Sequence, residues 1–220
     1  MIILGIDPGI AIVGWGVIDY AGIGSKPRTL DYGAITTPSD MRTEDRLNVV
    51  YEELSEIIKT YHPEAASIEE LFFNTNQKTG IIVAEARGVI ILACRQHNVP
   101  IHEYTPLQIK DSVVGYGRAD KHQVIGMVTM FLGLKEPPKP DDTADALAAA
   151  LCHAHTGTSR LAEYYNKPTS MAGKIDEERP MSMKRLTGAQ RLALERAKME
   201  AEKKQSSKRQ VKTTKTLKIK

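Results

Sequence analysis

The chain of 220 residues carries 30 Lys and Arg against 27 Asp and Glu, a formal net charge of +3. Its 41% hydrophobic and 26% charged residues suit a packed core, which excludes collagen-like, wholly disordered and disulfide-dense classes. No apolar run approaches the roughly 20 residues of a membrane span, and the opening MIILGID has no basic leader before Asp7, so neither a membrane helix nor a signal peptide is expected. Cys94 and Cys152 share no motif spacing; they are expected as reduced thiols of a cytoplasmic protein.

The small net charge averages two opposite parts. Residues 1–155 hold 13 Lys and Arg against 20 Asp and Glu, a balance of −7, and residues 156–220 hold 17 against 7, a balance of +10. The chain is therefore expected to divide into an acidic body, 1–155, and a basic tail, 156–220, largely disordered or partly helical and suited to nucleic acid. Eight Lys and Arg and no acid fall between Lys203 and Lys220, too little apolar surface to fold alone.

In chain order, MIILGI (1–6) is a short apolar run expected as a buried strand. IAIVGWGVID (10–19) sets Val13, Trp15 and Val17 on one face at period two, a second strand across the tight turn at Pro8-Gly9. TLDYGAITT (29–37) is a third, so the first three strands are expected to run as an antiparallel meander. Leu47, Val50, Leu54, Ile57 and Ile58 then follow helical spacing over 42–61. AASIEE (65–70) is a strand, 77–97 a helix and VPIHEY (99–104) another strand. Helices over 106–114 and 120–132 flank the G-Y-G of 115–117, and DDTADALAAALCHAH (141–155) is a strong helix with an acidic first turn. Three meandering strands followed by β-α alternation predict an α/β fold, a mixed sheet flanked by helices.

Several acids fall where these elements end or begin. Asp7 follows the first strand, Glu69 and Glu70 close the fourth, and Asp142 and Asp145 share a face in the first turn of the last helix, with Asp141 placed to cap it. Carboxylates gathered there repel by about 4 kcal/mol per pair at ~4 Å and an effective dielectric of ~20. Oxygen donors of this kind suit Mg²⁺ or Mn²⁺, and two ions about 3.5–4 Å apart clamp both oxygens of a phosphodiester displacement. Taken singly, each acid has a plainer role as a turn residue or helix-dipole partner. His153 and His155, near the end of the same helix, are expected as cations favoured by its dipole rather than as metal ligands.

The run L-G-I-D-P-G at 4–9 with G-W-G-V-I-D at 14–19, I-E-E-L-F-F at 68–73, A-E-A-R-G at 84–88, V-V-G-Y-G-R-A-D-K at 113–121 and D-D-T-A-D-A-L-A-A-A at 141–150, in that order, resembles the RuvC family of Holliday-junction resolvases. The resemblance implies a ribonuclease-H-like fold. It implies an endonuclease that resolves four-way DNA junctions by paired symmetric nicks in homologous recombination and repair, leaving 5′-phosphate ends. It makes Asp7, Glu69, Asp142 and Asp145 the catalytic ligands of two Mg²⁺ ions, with Mn²⁺ as a substitute and Glu70 as a bystander. Lys110 and Lys121 fall at the family's basic positions, Arg118 joins them in steering phosphate, and Phe72 matches an aromatic that stacks on an unpaired base. A homodimer is implied, with 77–97 near its interface and Ala84, Ala86, Gly88 and Ala93 permitting close approach; the plainer expectation is that these residues pack on their own sheet. The RuvA–RuvB branch-migration complex is the implied partner.

Three other readings compete. One is a ribonuclease-H-like nuclease for a different branched DNA or for RNA. Another is an actin-like ATPase, which needs a second glycine-rich phosphate loop that the chain does not display. The third is a non-enzymatic DNA-binding module driven by the tail.

Overall fold

The computed structural model describes residues 1–71 and 77–156. Phe72, and the expectations for the tail beyond Thr156, lie outside the described residues. Five strands and five helices follow in the order β1 (Ile2–Asp7), β2 (Ile12–Asp19), β3 (Arg28–Thr36), α1 (Thr43–Tyr61), β4 (Ala65–Glu69), α2 (Gln77–Gln96), β5 (Ile101–Tyr104), α3 (Pro106–Val114), α4 (Lys121–Leu132) and α5 (Asp141–Thr156). The expected order holds throughout, with boundaries within two residues. Among these residues no helix is long and apolar enough to cross a membrane.

The sheet runs β3-β2-β1-β4-β5. The meander β3-β2-β1 is antiparallel, and β4 and β5 add in parallel beside β1. The turn from β1 to β2 is short enough for a direct hairpin, whereas the parallel additions require the crossover helices α1 and α2. Alternation along each strand then sorts side chains to two faces. Leu4, Ile6, Val13, Val17, Ala66 and Ile68 bury one face together with α1 and α2. Ile3, Ile18 and Tyr104 turn to the other, where α3, α4 and α5 supply Ile109, Val113, Val124, Val128, Leu147 and Leu151. The result is three layers with the sheet in the middle.

The second face carries α5 unusually close. A Cβ on Gly5 would lie 1.9 Å from the Ala146 carbonyl oxygen, one on Gly14 would lie 2.0 Å from that of Asp142, and one on Gly16 would strike Leu147 at 2.5 Å. Gly5 pairs with Gly16, and Gly14 pairs with Asp7. These glycines form a bare strip on β1 and β2 into which the alanine-rich helix settles, with Ala144, Ala146 and Ala148 to Ala150 fully buried. The Ser67 hydroxyl of β4 donates to the Ala149 carbonyl at 2.6 Å, and the Thr143 hydroxyl donates to the Gly33 carbonyl of β3 at 3.2 Å. The helix is thereby pinned on both sides of the strip.

Candidate metal centre

β1 ends on Asp7 on the face that carries Gly5, and β4 ends on Glu69 on the face that carries Ser67. Both carboxylates thus point to the α5 side. The register that sets Gly14 opposite Asp7 also admits the backbone of Asp142 beside it, so the first turn of α5 arrives where the two strands end. Acids in that turn are favoured by the helix dipole.

The electrostatics follow from this convergence. Burial, then the neighbouring charges of Glu69, Asp145 and Asp142, push the Asp7 carboxyl up to about 8, with Lys121 opposing. Burial and Asp145 push Glu69 up to about 7, with Lys110 and Lys121 opposing. Asp145 is also raised, chiefly by burial, and is relieved by Lys121. The Lys121 ammonium lies 3.1 Å from Asp145 and 3.5 Å from Asp141. Among the described residues the acids do not close into a ready-made coordination shell. Asp141 and Asp145 hold the ammonium of Lys121, whose charge also reaches Asp7, Glu69 and Asp142.

The donor set nevertheless fits a hard divalent cation. Every candidate ligand is a carboxylate oxygen, and burial together with mutual repulsion raises the proton affinity of Asp7, Glu69 and Asp145, a penalty that a bound cation would relieve. Asp7, Glu69, Asp142 and Asp145 are the residues able to hold such a cation. The sequence-predicted acids are therefore brought together.

The basic residues divide. Lys110 on α3 lies within electrostatic reach of Glu69 and Lys121 reaches all the acids, whereas Arg118 is exposed in the turn between α3 and α4 and pairs with none of the described acids. Two expectations need correction. Asp141 does not cap α5 from outside: it is the helix's first residue, the Pro140 carbonyl accepts the Thr143 N–H at 3.0 Å, and the Asp141 carboxylate turns to Lys121. His153 is not a cation at a helix end. It is buried, its Nδ1 bonds the Tyr104 hydroxyl at 2.7 Å, and burial followed by repulsion from His102 pushes it down to about 4.

Sequence reasoning missed the glycine strip and Tyr116. The strip had a signal: Gly5 with Asp7, and Gly14 with Gly16, stand at strand period two on a single face. Tyr116 is 45% exposed, and its hydroxyl donates to Gln123 at 2.7 Å in the first turn of α4, two residues from Lys121.

A ribonuclease-H-like mixed sheet that delivers carboxylates from two strand ends and one helix start to one cleft defines a metal-dependent nuclease. The family profile "Crossover junction endodeoxyribonuclease RuvC" matches residues 3–153, and the chain belongs to that family. It is 60% identical over 157 residues to the crossover junction endodeoxyribonuclease RuvC of Alkaliphilus oremlandii, covering 71% of this chain and 94% of the relative. The RuvC of Clostridioides difficile is also 60% identical, over 156 residues, covering 71% and 91%. Among solved structures, Thermus thermophilus RuvC in complex with a Holliday junction substrate aligns with a TM-score of 0.69 at 35% identity, over 72% of this chain and 95% of that one. The family decides against the actin-like ATPase and the non-enzymatic module.

Proposed function

We propose that the chain nicks four-way DNA junctions by metal-assisted phosphodiester hydrolysis, with Asp7, Glu69, Asp142 and Asp145 as ligands of two Mg²⁺ ions. The observation that carries this reading is the convergence of two strand ends and the first turn of α5, which brings Asp7, Glu69, Asp142 and Asp145 within reach of one another's charge. When bound, such ions supply an activated water and stabilise the leaving 3′-oxygen. The chain's own residues do the rest. Asp7 sits centrally, where its charge couples to Glu69, Asp142 and Asp145. Lys110 and Lys121 hold the scissile phosphate and offset its developing charge, and Arg118 steers the flanking backbone. Phe72 is proposed to stack on an unpaired base, and the exposed Tyr116 ring offers a second flat surface near Lys121. The test compares a mobile four-way junction with linear duplex, flap and RNA–DNA hybrid under Mg²⁺ or Mn²⁺. Paired nicks confined to the junction and abolished by chelation are expected. Equal cleavage of the flap or the hybrid would favour the rival nuclease reading.

A four-way junction suits a two-fold symmetric enzyme, so a homodimer through α2 is proposed. Of the small residues on this helix, Ala86 and Ala93 are buried inside their own subunit, as the plainer expectation had it. The outward stripe is different: Ile81 is 60% and Leu92 50% exposed, and between them an added Cβ on Gly88 would meet nothing within 4 Å. The spacing of 81, 88 and 92 keeps these on one helix face. Leu92→Glu is expected to shift sedimentation from dimer to monomer and to uncouple the paired nicks; a dimer persisting at micromolar concentration would remove α2 as the interface.

The domain division is proposed as a nuclease body over 1–155 and a tail over 156–220 that tethers DNA without regard to sequence. With 17 Lys and Arg against 7 acids, its contribution should be counterion release, hence strong at low salt and fading as salt rises. Deleting 156–220 is expected to weaken junction binding mainly at low salt and to flatten the salt dependence. An unchanged slope would mean that the body binds alone.

A further inference from the structure

The position of Lys121 calls for a reason. It is the first residue of α4, where a cation opposes the helix dipole. Asp120 and Gln123 fix that helix start through a reciprocal capping box, so the backbone beneath Lys121 is held. The side chain is half exposed on a four-carbon stem, and its ammonium lies 3.1 Å from Asp145 and 3.5 Å from Asp141. Asp7, Glu69 and Asp142 all feel its charge. Lys110 differs, acting on Glu69 but not on Asp7 or Asp145.

We propose that Lys121 is a built-in counter-cation: its ammonium takes the place of a divalent ion among the carboxylates and is handed to the DNA phosphate when the ion binds. This rests on the four-acid reading above. An ammonium and a divalent ion cannot share Asp145 without strong repulsion, so one must yield. Lys121 can yield because Asp141, at the outer edge of the cluster, gives it a second hold, and because a phosphate at the cleft offers a third. A junction that draws Lys121 outward clears Asp145, so DNA and metal each promote binding of the other, by the reciprocity of linked equilibria. Lys121 thereby couples metal loading to phosphate grip, a role beyond simple attraction of DNA.

The test measures Mn²⁺ binding to the full chain by calorimetry or electron paramagnetic resonance, with and without an uncleaved junction analogue. Without DNA, Lys121→Met is expected to bind Mn²⁺ roughly tenfold tighter or more, since a nearby positive charge is gone. Lys121→Arg, which keeps the charge, should not show that gain. The tightening of Mn²⁺ binding by DNA should be smaller in Lys121→Met than in wild type. A purely structural lysine would do neither, and a lysine serving only to attract DNA would leave Mn²⁺ affinity unchanged in its absence. Equal or weaker Mn²⁺ binding by a folded Lys121→Met protein overturns the proposal; Lys121→Gln replaces it if the methionine variant fails to fold. Asp7→Asn separates the two layers of argument. If it retains full Mn²⁺ binding, the four-acid reading falls and takes the lysine proposal with it. If Asp7→Asn loses Mn²⁺ and Lys121→Met shows no gain, only the lysine proposal falls.

Discussion

Asp7→Asn is expected to lower junction nicking by at least about a thousandfold, a loss of several kcal/mol of transition-state stabilisation, while making the metal-free protein more stable at pH 8. The two effects share one cause. Burial penalises the Asp7 charge most, and Glu69, Asp145 and Asp142 oppose it further. Its proton affinity in the fold is raised from 3.8 to about 8. Between these values the folded state holds a proton that the unfolded chain has released. Metal-free stability therefore falls as pH rises from about 4 to about 8, and the full penalty is present above that. Integrated over the window it is on the order of several kcal/mol. Asparagine has no charge to confine, so the variant escapes that penalty and also offers a poorer ligand.

Glu69, raised to about 7, adds a second contribution of the same sign. Divalent metal should compensate both, because it binds the deprotonated carboxylates. Wild-type melting temperature is thus expected to fall with pH in a chelator and to recover in Mg²⁺, with a smaller response in Asp7→Asn. Nicking at limiting Mg²⁺ should climb through pH 7 to 8 as Glu69 and Asp7 lose protons. Scanning calorimetry across pH 5 to 8.5, with and without Mg²⁺, checks the stability arm. A metal-free Asp7→Asn protein that melts below wild type at pH 8 would show that Asp7 carries no confined charge.

Gly5→Ala is expected to be the most damaging substitution in the core for its size. Its new methyl would sit 1.9 Å from the Ala146 carbonyl oxygen and 2.8 Å from the Ala150 nitrogen, and both are helix backbone. Ordinary overpacking costs about 1–3 kcal/mol because side chains can give way. Here α5 itself must lift from β1, breaking the fit of a helix that is buried almost along its whole length. A cost at or above the upper end of that range lowers the melting temperature by roughly 10 °C in a domain of this size, or prevents folding. Gly14→Ala would strike the Asp142 carbonyl oxygen at 2.0 Å. Its expected signature is therefore different, with nicking lost more than stability as the first turn of α5 shifts away from Asp7. Gly126→Ala on α4 is the control: an added Cβ meets nothing within 4 Å, and replacing a helical glycine stabilises by up to about 1 kcal/mol. Thermal melts of the three variants beside their nicking rates test this ordering. A Gly5→Ala protein as stable as wild type would mean that α5 does not lie in the glycine strip.

The acids of the site were legible because their positions were local facts. Asp7 before Pro8-Gly9, Glu69 at the end of β4, and Asp142 and Asp145 three apart at a helix start are placed by spacing at element ends, but each singly reads as a turn or dipole residue, and only the family resemblance joins them into one set. Asp141 and His153 were misread for the same reason. Cap and dipole rules describe a helix alone in water, and neither residue is alone: Lys121 of α4 claims Asp141, while Tyr104 and His102 of β5 enclose His153. Small residues on α2 posed the opposite problem, since Ala86, Gly88 and Ala93 look alike in the sequence. The roll of the helix on the sheet buries two of them and leaves Gly88 outward beside Leu92.

The sequence by itself determined the element order, the meander followed by crossovers, and the family to which the chain belongs. These depend on periodicity, turn residues and ordered motifs, all of which act over a few residues. Only the tertiary structure decided how the carboxylates meet. That depends on the strand register placing Gly14 beside Asp7, and on a strip with no side chains that admits the backbone of α5. The charge balance of −7 in residues 1–155 gains its meaning at the same level. Folding concentrates a few of those acids around Lys121, because electrostatic energy is set by distance and burial rather than by count.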